Sequence, residues 1–589
     1  MTITEGQSGQ GNNYSMKRRN FLRSIAIGGG VLASAPVTGS PVLSRSLVTR
    51  ARPGRDGKGL PADLVIGGGG LGGCAAALAA LRNGLRVVMT EETDWIGGQL
   101  TQQGLSCPDE HPWIEQYGAN RAYRSLRTSV RDYYRRHYPL TASARSEQYL
   151  NPGNGVVSAL CHEPRVALAV LEAMFAPYLS SQKLIVLLNH KIVHAEVNGG
   201  VVKTLVARSL ADGGEVALEA PYFIDATELG DLLPLTGTPY RTGAEARSET
   251  KELHGAEKAN PLDNQAFTYC FAMDYVNGAD NTIPKPAEYD FWRNYVPEMT
   301  PPWPGRLLQL SYPNPKTLQQ KPLGFQPQGK PTGPWLNLWN YRRIIDPGNF
   351  RPGTYSGGMT IVNWPQNDFF PGNLIDVPEK DFNKYIGQSK QLSLSLLYWL
   401  QTEAPRPDGK QGWPGLRLRK DVMGTGDGLA KYPYIRESRR IEAVFTILEE
   451  HVGAANRALV TGKKSGNKAA YFYDSVGVGY YHIDLHPSSA KRNYIDFDSL
   501  PFQIPLGALL PRDMKNLIAG NKNIGTTHIT NGCYRLHPVE WGIGEAAGML
   551  VAYALKKNLP PHAVREKEPV LKDFQDFIRS QGVETHWPT

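Results

Sequence analysis

One stretch limits what this chain can fold into more than any other. It is Ala62 to Glu92, ADLVIGGGGLGGCAAALAALRNGLRVVMTEE. Asp63 to Ile66 reads as a short buried strand, Gly67 to Gly73 as a glycine turn, and Cys74 to Arg82 as an alanine-rich helix. Asn83-Gly84 stops the helix, and Leu85 to Met89 is a second strand. Parallel strands joined by such a crossover set the turn at the carboxyl edge of a sheet, against a helix N-terminus. Free backbone N–H groups and the helix dipole attract a pyrophosphate there.

Two registers of GxGxxG fit, Gly67/Gly69/Gly72 and Gly68/Gly70/Gly73. The second starts the helix directly at Cys74. It also sets Glu91, with Glu92 beside it, at the end of the second strand, where a carboxylate accepts hydrogen bonds from an adenosine ribose. The expected cofactor contacts are Gly68, Gly70, Gly72, Gly73, Glu91 and Glu92. An acid here favours a free ribose 2′-OH, hence FAD or NAD over NADP.

Thr93-Asp94-Trp95-Ile96-Gly97-Gly98-Gln99-Leu100-Thr101 follows at once. Its double glycine lets the backbone approach a second part of a long cofactor, through Gly98, Gln99 and Leu100. This run resembles the FAD-dependent oxidoreductase family of glutathione-reductase-like flavoproteins, some of whose members carry a xanthan-lyase label. The resemblance extends over roughly residues 60–560. It implies an α/β fold with FAD as cofactor: a Rossmann-type FAD-binding domain holding an inserted, aromatic-rich α+β substrate or cap domain.

By the same resemblance, the backbone near Lys191-Ile192 borders the adenine. Asp225-Ala226-Thr227-Glu228 stands for a second FAD fingerprint, contacting through Ala226 and Thr227, with Glu228 where that pattern often has glycine. The last strand-to-helix turn aims its N–H groups at the flavin, through Trp541, Gly542 and Ile543. Reduced flavin gathers negative charge there, and a helix N-terminus stabilises it.

The expected organisation is a leader and linker over 1–60, FAD-binding residues 61–270 with a helical insertion at about 111–155, a substrate or cap domain over 271–500, the last FAD-binding part over 501–560, and a tail over 561–589. The insertion is rich in Tyr and Arg and reads as a helix with a solvated basic face. Seven of the eleven tryptophans fall in the middle segment, which suits either a ring-stacking pocket or an aromatic core.

The net charge is +9, but residues 1–60 alone carry +7, so no nucleic-acid surface follows from it. Lys17-Arg18-Arg19-Asn20-Phe21-Leu22 is a twin-arginine pattern, followed by an apolar stretch too short to span a membrane. The expectation is export by the Tat translocase to the bacterial periplasm, with no integral membrane segment in the mature protein. Five widely spaced cysteines form neither a disulfide framework nor a zinc pattern. His482-Ile483-Asp484-Leu485-His486 sets three ligand-type side chains on one strand face, which raises a metal site. The family resemblance implies none.

A base near flavin N5 could take a proton while a hydride leaves the substrate carbon. His537 is the first candidate and His528 the second. Arg535, Asn531, Asn363 and Trp364 are the expected substrate contacts. The expected function is an exported FAD-dependent oxidoreductase, an oxidase or dehydrogenase, acting on a small organic molecule such as a sugar, alcohol or amine, with an unidentified electron acceptor. The alternatives are a non-catalytic flavoprotein or electron carrier, and a polysaccharide-related lyase.

Overall fold

In the computed structural model, which describes residues 60–328, 333–463 and 465–588, strand β1 is Leu64–Gly67. The twin-arginine pattern and linker lie outside the described residues. Helix α1, Leu71–Arg82, starts at the glycine run itself, with Gly70 as its N-cap. That is three residues earlier than the alanine pattern implies. The residues between are glycines and Leu71, which a helix accepts when buried against a sheet.

Strand β2 is Val87–Glu91. The insertion supplies α2, Arg121–His137, and α3, Pro164–Ser180, follows with proline in its first turn. The basic face expected of α2 is only partly solvated. Arg127 and Arg131 are buried, and each pairs with Glu115. Strand β3 is Leu184–Leu188, and β4 (His190–Asn198), β5 (Val201–Ser209) and β6 (Glu215–Glu219) form an antiparallel meander. Strand β7 is Tyr222–Asp225.

The middle of the chain forms a four-stranded antiparallel sheet. It comprises β8 (Phe271–Tyr275), β9 (Arg343–Ile345), β10 (Met359–Val362) and, after the long helix α4 (Glu379–Thr402), β11 (Leu416–Leu418). Beyond it come β12 (Ile483–Leu485), β13 (Leu517–Ala519), α5 (His528–Tyr534) and α6 (His537–Lys557). Residues 561–588, expected as a tail, include the helix Glu568–Ser580, whose Leu571, Phe574 and Ile578 are buried in the main core.

The organising layer is a five-stranded parallel sheet in the order β13-β7-β1-β2-β3. Every residue of β1, β2 and β7 but Tyr222 is buried, as a sheet covered on both faces requires. Helices α1 and α6 cross in close contact because glycines face backbone. A Cβ on Gly544 would strike Gly72 O, and one on Gly548 would strike Ala76 O. A second, aromatic core lies in the middle segment and takes in Trp292, Trp303, Trp339, Trp364, Trp399 and Trp413. These tryptophans therefore build the interior of their region, and of the six only Trp364 also lines a large cavity.

Candidate active site

The carboxyl edge of the parallel sheet is cut by a narrow cleft. Its floor is the turn between β1 and α1. Gly68 takes φ +95°, and a Cβ there would overlap the carbonyl of Ala226. A Cβ on Gly73 would overlap Gly68 O, and one on Gly72 would overlap Gly520 O. Before Gly70 the nearest atom is the end of a side chain, Glu228 Oε1, 2.6 Å from an added Cβ. Gly68, Gly70, Glu91, Glu92, Ile192, Ala226 and Thr227 all line the cleft.

Glu91 closes β2. Its Oε2 accepts from Gly69 N–H at 3.1 Å and its Oε1 from Thr93 N–H at 2.8 Å, so the acid is clamped to the glycine turn. Burial pushes its carboxyl up to about 8. Glu92 pairs instead with Lys191 Nζ at 3.3 Å. The turn after β7 adapts to Glu228 without a glycine at that position. Asp225 accepts from Thr227 N–H and from Leu232 N–H, and the positive φ falls two residues later, on Gly230.

From Glu228 a buried polar chain runs inward. Lys522 Nζ joins Glu228 to Glu540, whose other oxygen accepts from Gln99 Nε2. Gln99 Nε2 also donates to Arg535 O at 2.9 Å. Burial pushes Glu540 up to about 7, with Lys522 opposing it. Gln99 Oε1, both amide atoms of Gln103 and Glu228 Oε1 are buried and without a partner. Gly98 and Leu100, with Gln99, form the short helical turn that carries this chain past α1.

Beyond Arg535 lies a larger cavity of about 380 Å³. Arg535, Asn363 and Trp364, the expected substrate contacts, line it, and so do Arg342, Arg436, His482, Asp484 and His486. Arg535 donates to Tyr434 Oη at 2.8 Å and to Asp484 Oδ2 at 3.1 Å. Asn531 is not on this wall; its Nδ2 donates to Arg436 O from the interior of α5. His486 Nδ1 donates to Asp368 Oδ2 at 2.6 Å, and Asp484 Oδ2 lies 3.4 Å from Nε2. Asp368 is fully buried, and Arg436 and His486 hold its carboxyl below the usual range against the effect of burial. His482 is bound to Asp496 at 2.8 Å; burial works against its charge, but Asp496 and Asp484 raise its pKa overall.

Three expectations are corrected. His537 does not face a cavity. Its Nδ1 accepts from Asp109 N–H and its Nε2 donates to Leu105 O, both at 3.1 Å, so neither nitrogen is left for a substrate. Burial pushes its imidazole down to about 4. His528 is likewise engaged on both sides, by Glu437 at 2.8 Å and by Arg492 at 2.6 Å. Trp541, Gly542 and Ile543 lie one turn inside α6, which begins at His537, so their amides belong to its own hydrogen-bond ladder. Trp541 Nε1 donates to Glu545. The acid of that first turn is Glu540, which the motif reading passed over.

His486 and Asp368 are 118 residues apart in the chain, and nothing local links them. The available signal was the alternation His482, Asp484, His486. Here it builds paired side chains on one wall, and among the described residues no group of His, Cys, Asp and Glu is arranged to hold a metal. All five cysteines are free and buried. Among the described residues no helix is long and apolar enough to cross a membrane.

A family model described as FAD dependent oxidoreductase matches residues 63–578. Comparison with curated proteins gives no match. Among solved structures, the chain is similar to AlpK at 15% identity, covering 41% of each chain with a TM-score of 0.21. OxyS anhydrotetracycline hydroxylase from Streptomyces rimosus shares 10% identity over 88% of this chain and 66% of its own, with a TM-score of 0.29. The flavin-dependent monooxygenase PieE, in complex with FAD and substrate, shares 12% identity over 37% and 35%, with a TM-score of 0.20. The chain thus spans about two fifths of AlpK, and likenesses this slight bear neither on its fold nor on its substrate.

Proposed function

The chain belongs to the FAD-dependent oxidoreductase family, and from that premise we propose that it oxidises or reduces a small polar molecule in the cavity behind Arg535. The observation that carries this reading is the buried polar chain Glu228–Lys522–Glu540–Gln99–Arg535, which runs from a residue lining the glycine cleft to one lining that cavity.

The residues present fit FAD. The cleft has a floor that excludes any Cβ at Gly68 and an acid at the end of β2. Deeper in, Gln99 and Gln103 present buried donors and acceptors with no partner in the protein, which a polar ring system would satisfy. Gly68, Gly70, Gly98, Ala226 and Thr227 would hold the pyrophosphate and its flanks, with Glu91 or Glu92 on the ribose and Ile192 beside the adenine. Lys191, paired with Glu92, is a cation lining the cleft, and Lys522 is tied to Glu228 and Glu540. When bound, FAD supplies a two-electron centre that takes a hydride at flavin N5 or returns one.

The protein's own groups then do the rest. Arg535 and Asn363 orient the substrate from the cavity wall. His486 takes or returns the substrate's O–H or N–H proton at Nε2, the substrate displacing Asp484 Oδ2, 3.4 Å from that nitrogen, and Asp368 fixes the ring by holding Nδ1–H. Burial of Arg436 and Asp368 as a pair keeps that wall rigid. The test is anaerobic mixing of the purified yellow protein with alcohols, sugars, amines and hydroxy acids, followed by air. We expect one class to bleach the flavin and air or an added acceptor to restore it. Flavin that dithionite reduces but no organic compound does would favour an electron carrier instead.

A further inference from the structure

We propose that Cys107 and Cys161 close a disulfide bond when the chain folds among disulfide oxidants, and that this bond staples the insertion to the cavity wall. In the structure both are free thiols, on stretches that lie side by side. His162 N–H donates to Ser106 O at 3.2 Å, and Ser106 Oγ donates to His162 O at 2.5 Å. Cys107 follows Ser106, Cys161 precedes His162, and the two thiols are hydrogen-bonded to each other. Cys161 also donates to Ser158 O at 3.7 Å. Sulfurs in such contact have roughly 2 Å to travel to the S–S bonding distance of about 2.05 Å. The other three sulfurs meet other groups. Cys74 donates to Gly69 O, Cys533 donates to Thr530 O, and Cys270 accepts from Asn363 Nδ2. A single buried cysteine is most often just a small apolar side chain. Two in contact, drawn from the two ends of an insertion, are a pair that oxidation can join.

The bond would act where the site is built. Between the two cysteines runs the insertion with α2. Arg342, on the cavity wall, donates from Nη1 to Cys107 O at 3.0 Å and from Nη2 to Asp109 Oδ1 at 3.2 Å. Tying Cys107 to Cys161 therefore fixes the segment that holds Arg342. The step is thiol–disulfide exchange. A small disulfide such as oxidised glutathione first forms a mixed disulfide with one cysteine and releases one small thiol. The other cysteine sulfur then attacks, the protein S–S bond forms, and a second small thiol leaves. The two electrons and two protons of the dithiol depart on those two thiols. Both cysteines are fully buried, and burial pushes the Cys107 thiol well above its ordinary range. Exchange needs a thiolate, so it runs while the segment is still open, and the finished bond is shielded from reductants.

The test uses the full chain, purified with its FAD from two bacterial strains, one with a reducing and one with an oxidising cytoplasm. Free thiols are alkylated under denaturing conditions, and the peptides are read by mass spectrometry without reduction. In the oxidised preparation we expect the Cys107 and Cys161 peptides joined, with Cys74, Cys270 and Cys533 alkylated. We expect that preparation to melt about 2–5 °C above the reduced one, because the bond restricts the unfolded chain. Cys161→Ser should melt at the same temperature from either strain, whatever its own stability, and Cys107→Ala repeats the comparison. Cys107 and Cys161 both alkylated in the oxidised preparation, or joined to other cysteines as often as to each other, would overturn the proposal. So would a melting difference between strains that survives in both variants.

Discussion

The glycine cleft and the larger cavity are built by opposite means. The cleft is made of backbone: a turn with φ +95° at Gly68, glycines packed against carbonyls, and one acid clamped to Gly69 N–H. Its lining comes mainly from short runs, 68–70, 90–92, 190–192 and 226–228, joined by Gln102, Asp231 and Tyr432. The cavity is made of side chains, Arg342, Arg436, Asp484, His486 and Arg535, drawn from four separate stretches of chain. Backbone sites tolerate a change of side chain poorly and specify a cofactor shared across a family. Side-chain sites can be rewired residue by residue, and so they carry what is particular to one protein.

The largest expected effect breaks the cleft and spares the cavity. Gly70→Leu should give folded, soluble protein that carries no flavin. Its Cβ meets only the flexible end of Glu228, yet its branch would fill the space before the turn. Gly73→Leu is the contrast. There the added carbon strikes Gly68 O, a backbone atom that cannot step aside, so the fold itself should fail. Circular dichroism and absorbance of the two purified variants separate these outcomes. A Gly70→Leu protein that stays yellow would remove the cleft as the cofactor site.

The same contrast explains what could be read from the sequence. The β1-turn-α1-β2 unit was legible because its evidence is local: glycine spacing, a small-residue helix, and an acid at the strand end. The start of α1 was misplaced by three residues because glycine marks both turns and buried helix faces. The cavity was legible only in pieces. Arg535, Asn363 and Trp364 were named and line the cavity, but the partner that gives His486 its orientation comes from residue 368, far along the chain. His537 misled because a histidine before proline at a helix start looks the same whether its ring faces a ligand or two backbone groups. Only the tertiary positions of Leu105 and Asp109 decide it.

The second effect sharpens the cavity. His486→Gln should keep FAD and fold but slow flavin reduction by the true substrate by roughly 10²–10⁴-fold. Asp368→Asn leaves a carbonyl or an amide facing Nδ1 and should slow it by less, with His486 still present. It should also shift the acidic limb of the pH–rate profile, which loss of packing alone would not do. Stopped-flow reduction at saturating substrate is the measurement. Unchanged rates in His486→Gln would place the proton acceptor elsewhere, with His482 the next group on the same wall.

The smallest effect concerns His537, the histidine that has lost the catalytic role. His537→Gln should leave flavin reduction within about 3-fold of wild type, since no ring nitrogen is free to touch a substrate. It should instead lower stability by about 1–3 kcal/mol at pH 7, the cost of one or both backbone bonds broken in a buried place. The dependence on pH gives the sign. Burial holds the folded imidazole down at about 4, whereas in the unfolded chain it titrates near about 6.5. The unfolded state thus takes up a proton in that interval that the folded state refuses, and the contribution of His537 rises with pH across it. It is complete above about 6.5 and is lost as the pH falls toward 4. His111, also held near 4 by burial, titrates in both proteins and drops out of the difference, whereas His162, held there too, feels His537 and adds a smaller coupled contribution. Denaturant melts of the two proteins at pH 7.5, 6 and 4.5 should therefore converge as the solution becomes more acid. A stability gap that widens in acid would mean the ring is charged in the folded protein, and would return His537 to the proton chemistry.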